Sequence, residues 1–345
     1  MPSTPPEISF IILNWNNAPD TLECLASVYA SKGVSFDVYV ADNGSTDGSL
    51  EVLRKAYPQA IYVENKANLG FAEGNNRAIE KALAGPAKFL FLLNNDAVLQ
   101  ENTLLLLKQA ADTHPSAAVF GPKIYYYDAP ATIWYAGGEW DPARASFYHR
   151  EWNCDEEDSK RKQVDETGYV CGCAFFIRAE AVRQIGGMDP RFFLTWEEID
   201  WCWRLKRAGY KSLYIPESKC WHKISRSFIG GKRGPMWLYF YWRNRLLWME
   251  LHVPRKEFFY LTRKILWPQI QVLLRQFFQK KNRERDEARA SLRGISDYFF
   301  RQFGPCPKYL LKKTEKNHHP APPPQKNNMI TPPKAAEDGR SRSAG

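Results

Sequence analysis

The stretch Lys88 to Val98, KFLFLLNNDAV, constrains the fold of this chain more than any other. Phe89 to Leu93 are an unbroken apolar run of strand length, which reads as a strand buried on both faces. Three polar residues, Asn94, Asn95 and Asp96, stand at its carboxyl end. In open α/β sheets ligands bind outside the carboxyl ends of the strands, where an acid can hold a hard cation against a diphosphate. Asp96 is therefore the candidate metal ligand, although the same three residues also suit a plain turn.

The stretches before it repeat one pattern. Ile8 to Leu13, Phe36 to Ala41 and Ile61 to Glu64 are short apolar runs, each followed by a polar loop and then by helical spacing, at Ala18 to Ser31, Ser49 to Ala56 and beyond Gly70. Such βα alternation predicts a mainly parallel sheet flanked by helices, with a site along one edge. None of the loops is GxGxxG or GxxxxGK[ST], so dinucleotide redox and P-loop NTPase readings lose support. Asp42, at the end of the second strand, suits either a turn or a hydrogen bond to a base edge or ribose hydroxyl. Asp47 suits a helix cap.

Beyond Asp96 the sequence predicts further strand-like material at 118–121, 125–127 and 134–140. The charged segment Glu151 to Glu166 reads as a mobile surface loop, functional or merely solvated. YVCGCAFFI, Tyr169 to Ile177, reads as a strand that puts Cys171 and Cys173 on one face for packing. The densest polar cluster is Phe192 to Arg204, FFLTWEEIDWCWR. Glu197, Glu198 and Asp200 lie there among Phe192, Phe193, Trp196, Trp201 and Trp203, and acids among so many aromatics are costly unless they bind something. As the first turn of a helix they would instead be favoured by its dipole. A last short strand is expected at Tyr214 and Ile215, before His222, which suits a metal or diphosphate ligand or a structural histidine.

Composition separates the two ends of the chain. Residues 1–225 hold 23 Lys and Arg against 29 Asp and Glu, while residues 226–345 hold 25 against 9. A basic end suits an anionic membrane face or nucleic acid. Trp237 to Leu251 mixes tryptophan, tyrosine and leucine with Arg243 and Arg245, and helices are expected at about 256–279 and 282–303. These suit either the membrane interface or packing on the catalytic unit. No window of 18 uncharged apolar residues exists to span a bilayer. The seven cysteines show no metal-site spacing and read as reduced, hence cytosolic. Residues 1–13 lack a signal sequence, and from His318 the Pro-rich chain is expected to be disordered.

In order along the chain, IILNWN, VADNGSTDGS, NLGFAEGNN, NNDA, CGCAFFIR with GGMDPRFF, WEEIDWCWR, and HKISRS with YFYWRNRLL resemble the family 2 glycosyltransferases of GT-A fold. Within them the resemblance is to the bacterial rhamnosyltransferase-like branch, over roughly residues 7–250. It implies an inverting transfer of a sugar, with dTDP-rhamnose as the suggested donor, using Mg2+ or Mn2+. The acceptor would be a hydroxyl of a glycan or lipid-linked molecule in cell-surface polysaccharide synthesis.

Carried over by position, Asp42 holds the base and Asn68 with Gly70 forms the loop beneath the nucleotide. Asn14, Asn16, Asn75 and Asn95 complete the nucleotide set. Asp96 is the final Asp of the DxD motif, with Asn94 where the first acid stands, and His222 joins the metal set. Glu198 takes the base position beside Glu197, a Glu-Glu pair where the family has Glu-Asp. Asp200, Trp196 and Trp201 are expected at the acceptor. The implied partners are the nucleotide-diphosphate sugar, the acceptor and an anionic membrane surface, not nucleic acid, and a homodimer is compatible with the reading. The expected location is cytoplasmic, peripheral on the inner face of the cell membrane. The expected units are a catalytic domain at 1–228, a helical extension at 229–310 and a disordered tail at 311–345. Two rival readings remain at this stage. One is an inactive GT-A-like binding protein with a basic tail. The other is a nucleotidyltransferase, which lacks its Gly-rich basic first loop here, Asn14 to Asn17 standing in that place.

Overall fold

The computed structural model describes residues 5–223, 234–279 and 283–310. The expected tail from residue 311, and Ser225 and Ser227 of the HKISRS stretch, lie outside the described residues.

The chain opens with β1 (Ile8–Asn14), α1 (Ala18–Tyr29), β2 (Phe36–Asp42), α2 (Ser49–Ala56), β3 (Ile61–Glu64), α3 (Gly70–Leu83) and β4 (Phe89–Asn94), the alternation that the apolar spacing predicts. Next come β5 (Ala97–Leu99), α4 (Thr103–Thr113), β6 (Ala117–Tyr126), β7 (Thr132–Tyr135), β8 (Gly138–Asp141), β9 (Ser146–His149), β10 (Cys154–Asp155) and β11 (Asp165–Glu166). After β12 (Ala174–Arg178), α5 (Ala179–Ile185), α6 (Glu197–Arg207) and β13 (Lys211–His222), the chain turns helical. Its last elements are α7 (Pro235–His252), α8 (Arg255–Leu261), a π-helical turn at Thr262–Leu266, α9 (Trp267–Gln279) and α10 (Arg283–Phe299).

β3, β2, β1 and β4 pair in that order, all parallel. β12 then enters antiparallel between β4 and β6, with Ala174 opposite Leu93 and Phe176 opposite Phe120. A parallel strand needs a crossover, whereas an antiparallel insertion returns the chain to the middle of the sheet without one. Phe89 to Leu93 are buried on both faces as their composition demands. Phe176 of β12 packs its ring against Phe89, Phe91 and Phe120, at 4.9, 5.8 and 6.2 Å between centroids.

Three expectations change. The strand expected at 169–177 is confined to Ala174–Arg178, because residues 171–174 turn on an Ala174 amide to Cys171 carbonyl bond, so the cysteines are core residues of that turn. The last strand is not two residues but twelve. Pro216 hides it in the sequence, since proline removes a ladder donor, and the pairing with β6 absorbs it as an irregularity between Ile215 and Lys219. The charged segment 151–166 is tied down by β10 against β7 and β11 against β13. Arg150, itself buried, donates to Asp165 and to the Glu166 carbonyl there, at 3.0 and 3.1 Å.

Of the two alternatives for the tryptophan-rich stretch, α7 takes the packed one. Ten of the eleven residues from Tyr239 to Met249, all but Tyr241, are buried, so this stretch of the helix is interior. Its cations are matched there as buried charges must be. Arg245 donates to the Ala145 carbonyl at 2.8 Å and to Gln269 at 2.9 Å. Trp242, Leu246, Trp248 and Met249 belong to the same hydrophobic core as the sheet. α10 closes over α7 through Gly294, where a Cβ would lie 2.2 Å from the Tyr239 carbonyl oxygen. Gly294→Ala must therefore push the two helices apart and should destabilise the fold by about 1–3 kcal/mol, read as a lower denaturant midpoint.

Candidate active site

The polar residues expected at the strand ends form one hydrogen-bonded floor. Asn14, at the end of β1, is fully buried and donates to Asp42 Oδ1 and Ser45 Oγ, both at 3.1 Å. Asp42 also accepts from the Ser45 amide at 2.9 Å, which folds the loop after β2 over the acid. Asn16, in the left-handed region at φ 51°, accepts from the Thr46 amide at 2.8 Å and so joins the first two loops. Thr21 donates to Asn14 and accepts from Asn95, each at 2.9 Å, and so bridges β1 to the tip of β4. The sequence gave no reason to single out Thr21.

Asn43 was missed as well. Its side chain donates to Asn68 and to the Gly70 carbonyl and accepts from the Leu69 amide, all at 3.1 Å, so it shapes the whole turn into α3. Asn68 in turn accepts from the Gly70 amide at 2.9 Å. Gly70 has φ +81°, and a Cβ there would lie 2.5 Å from the Phe193 carbonyl oxygen, so no other residue fits. Asn75 turns back on its own helix, donating to the Phe71 carbonyl at 2.8 Å.

At the tip of β4, Asp96 is 3 % exposed and lies 3.0 Å from Nε2 of His222. The pairing of β13 with β5, His222 opposite Ala97, makes this contact across more than a hundred residues. Burial raises the Asp96 carboxyl, and the His222 ring more than offsets it, so the acid stays below its ordinary range. Asn94 Nδ2 sits 3.3 Å from the same Nε2. The amide oxygen of Asn94 is buried without a hydrogen-bond partner, and so is Nδ1 of His222. An orphaned hard oxygen beside a carboxylate and an imidazole is a donor set that fits a divalent cation. Among the described residues no three His, Cys, Asp or Glu side chains gather around such a point, so the amide of Asn94 is needed to complete it.

Glu197 and Glu198 open α6, where the helix dipole favours carboxylates. Burial nevertheless dominates. It pushes the Glu198 carboxyl up to about 6, against the pull of backbone N–H groups at Gly172 and in the first turn of the helix. Glu197 is raised well above its ordinary value, by burial first and by the charge of Glu198 second. One carboxyl oxygen of each is buried and has no hydrogen-bond partner.

The loop that delivers these acids is strained. Phe193, Thr195 and Trp196 all have positive φ, at 62°, 66° and 76°, each costing on the order of 1–3 kcal/mol. α7 holds it in place. Asn244, fully buried, donates from one amide to the carbonyls of Phe192, Leu194 and Thr195 at 2.7–2.8 Å. Arg243 adds bonds to the Phe192 and Arg191 carbonyls at 2.9 and 3.1 Å. From the other side the Phe193 carbonyl accepts from the Phe71 amide at 2.6 Å, which docks the acid loop on the turn into α3. A buried Arg-Asn pair inside an aromatic helix was the available sequence signal, since buried polar groups need partners.

Two contacts join the acids to the tip of β4. Gly172 lies against Glu198, whose Cβ would be 3.6 Å from a methyl on that glycine. The next residue, Cys173, accepts the Asn94 amide at 2.8 Å. The structure thus brings Glu198, the loop of Asn68 and Gly70, and the set of Asn94, Asp96 and His222 to one edge of the sheet.

The three residues expected at the acceptor are buried in packing contacts. Trp201 is fully buried, stacks on Phe175 at 5.2 Å and donates to the Gly186 carbonyl. Asp200, 1 % exposed, is taken up by His252 and Arg204, both at 2.7 Å. Burial lifts its carboxyl, and the His252 bond together with the Arg204 charge more than reverses that. Trp196 packs among Phe147, Tyr241 and Trp248. All three are spent on the core that supports the site.

Residues 9–186 match the family described as Glycosyl transferase family 2. Over 233 residues the chain is 27% identical to the N-acetylglucosaminyl-diphospho-decaprenol L-rhamnosyltransferase of Mycobacterium tuberculosis, covering 63% of this chain and 76% of that protein. The fold is shared with the mannosyltransferase PcManGT from Pyrobaculum calidifontis, solved with GDP-Man and Mn2+, at 15% identity and a TM-score of 0.56 over 87% of this chain and 89% of that one. It is also shared with GalNAc-T7, solved with UDP, GalNAc and Mn2+, at 14% identity and a TM-score of 0.52 over 78% and 58%.

Asn244→Ala would leave carbonyls of the strained loop buried and unpaired. It should cost about 2–4 kcal/mol in denaturant unfolding, and its transfer activity should fall even under conditions where it remains folded by circular dichroism.

Proposed function

The chain belongs to glycosyl transferase family 2, has the GT-A fold and is a glycosyltransferase, and on that premise we propose that it moves a sugar, with inversion, from a nucleotide diphosphate to a hydroxyl of a glycan or lipid-linked acceptor. The observation that carries this reading is the Glu198 carboxyl, lifted to about 6 at the edge where the nucleotide loop and the Asn94, Asp96 and His222 set converge. A carboxylate with that pKa is ionised at neutral pH yet basic enough to accept a proton. Glu197 is raised as well, by burial first and by the charge of Glu198 second, and of the two it is Glu198 that lies against Gly172, next to the residue bonded to the tip of β4, which favours Glu198 for the base role.

In this mechanism Glu198 takes the proton of the acceptor hydroxyl as that oxygen attacks the anomeric carbon. The bond to the diphosphate breaks on the opposite face, its electron pair leaves with the diphosphate, and the configuration inverts. Asp42 and Asn14 would face the base and ribose, and Asn68 with Gly70 would bring backbone against the nucleotide. A divalent cation, Mg2+ or Mn2+, held by Asp96, His222 and the amide oxygen of Asn94, would neutralise the charge developing on the departing diphosphate. The named relative supports rhamnose as the sugar and a lipid-linked diphosphate sugar as the acceptor.

Glu198→Gln keeps the shape and removes the base. Nucleotide binding should persist while turnover falls by about 10² to 10⁴, and transfer at the native rate would sink the role. Because the base works only when unprotonated, kcat/KM should fall as pH drops through about 6 and level off above it. Asp96→Ala should abolish the Mn2+-dependent part of nucleotide binding, seen by calorimetry with and without the metal.

A further inference from the structure

α8, the π-helical turn and α9 make one rod from Arg255 to Gln279, roughly 35 Å long at the usual rise per residue. Its inner side puts Leu261 and Leu266 into the core. Its outer side is unusual for a face in water. Phe259, Tyr260, Trp267 and Phe278 are 58, 60, 53 and 78 % exposed. Interleaved with them stand five exposed cations, Arg255, Lys256, Arg263, Lys264 and Arg275, against one exposed acid, Glu257. Several large aromatics left in water along one rod mark an interaction surface.

The charge pattern selects the partner. A second copy presenting the same face would set cations against cations, which opposes pairing. An anionic lipid surface matches both components, since aromatic rings settle at headgroup level and Lys and Arg are drawn to acidic headgroups. Among the described residues no helix is long and apolar enough to cross a membrane, so the rod would lie in the plane of the interface. We propose that the outer face of α8–α9 seats this enzyme on an anionic bilayer, an inference that rests on the proposed function only for the lipid-linked acceptor that such a seat would serve. The helix that clamps the acid loop, α7, leads through Val253 and Pro254 straight into α8, so the seat and the site share one continuous stretch of chain.

The test is flotation of the full chain with vesicles of phosphatidylcholine, with and without phosphatidylglycerol. The wild type should float with the anionic vesicles, weakly with the neutral ones, and less at about 0.5 M salt. The triple variant Phe259→Ser, Trp267→Ser, Phe278→Ser and the double variant Lys264→Glu, Arg275→Glu should each lose about tenfold or more in the bound fraction. Both should keep the wild-type melting temperature and Mn2+-dependent nucleotide binding. Wild type that stays at the bottom of the gradient overturns the proposal, and so do variants that float like wild type, which would assign binding to another part of the chain. Light scattering showing a wild-type dimer that the triple variant dissolves would give the face to a second copy instead. Loss of nucleotide binding with flotation intact would count against the function and leave the seat standing.

Discussion

One backbone hydrogen bond, from the Asn94 amide to the Cys173 carbonyl, fixes the relation between the two chemical halves of the site. It continues the β4–β12 pairing by one rung, and it exists because β12 runs antiparallel beside β4, the last of four parallel strands. That direction makes β12 begin where β4 ends. The turn before β12 therefore comes up beside the tip of β4, and Gly172 carries the Glu198 side chain with it. A parallel β12 would have sent that turn to the opposite edge.

Holding the acids there works against local preference. Three of the four residues before α6 sit at positive φ, and two carboxyls are buried side by side. Strain of this kind persists only where the surroundings over-determine it. Here α3 grips the loop from one side through Phe71 and α7 from the other through Arg243 and Asn244. The C-terminal helices are thus part of the catalytic unit. Trp242 and Trp248 share its core, and the expectation of a separate extension beginning near residue 229 understates how closely α7 is built in.

The opposite wall is set by β13. It runs beside β6 to its last residue and at Cys220–His222 also pairs with β5, which delivers His222 to Asp96. Lys223, the residue after it, reaches Asp20 at 2.8 Å and also Glu23 on α1, so the end of the strand is pinned to the helix that carries Thr21. Thr21 then connects Asn14 to Asn95, and through them the polar floor at the ends of β1 and β2 to the tip of β4. Polar contacts that look separate in the sequence are one network here, and beside it the Asn94 amide oxygen, Nδ1 of His222 and one carboxyl oxygen each of Glu197 and Glu198 are buried without a hydrogen-bond partner.

Local chemistry alone was enough to determine the βα alternation, the strand ending at Asn94 and the polar strand ends, because buried runs, turn residues and strand periodicity depend only on near neighbours. The order of motifs also sufficed to place Asp42, Asp96 and Glu198 in one family pattern. Only the tertiary structure decided which polar residues meet and which are spent on packing. In sequence, Trp196, Asp200 and Trp201 look as functional as Glu198, but the buried face of α6 turns them toward Phe175, His252 and Trp248. Asn244 looks like one polar residue in an aromatic helix, yet it holds three carbonyls of a loop some fifty positions away. Pro216 concealed the strand that brings His222 home. Each of these outcomes depends on contacts between residues far apart in the chain, and the spacing along a single element carries no record of the partner it will meet.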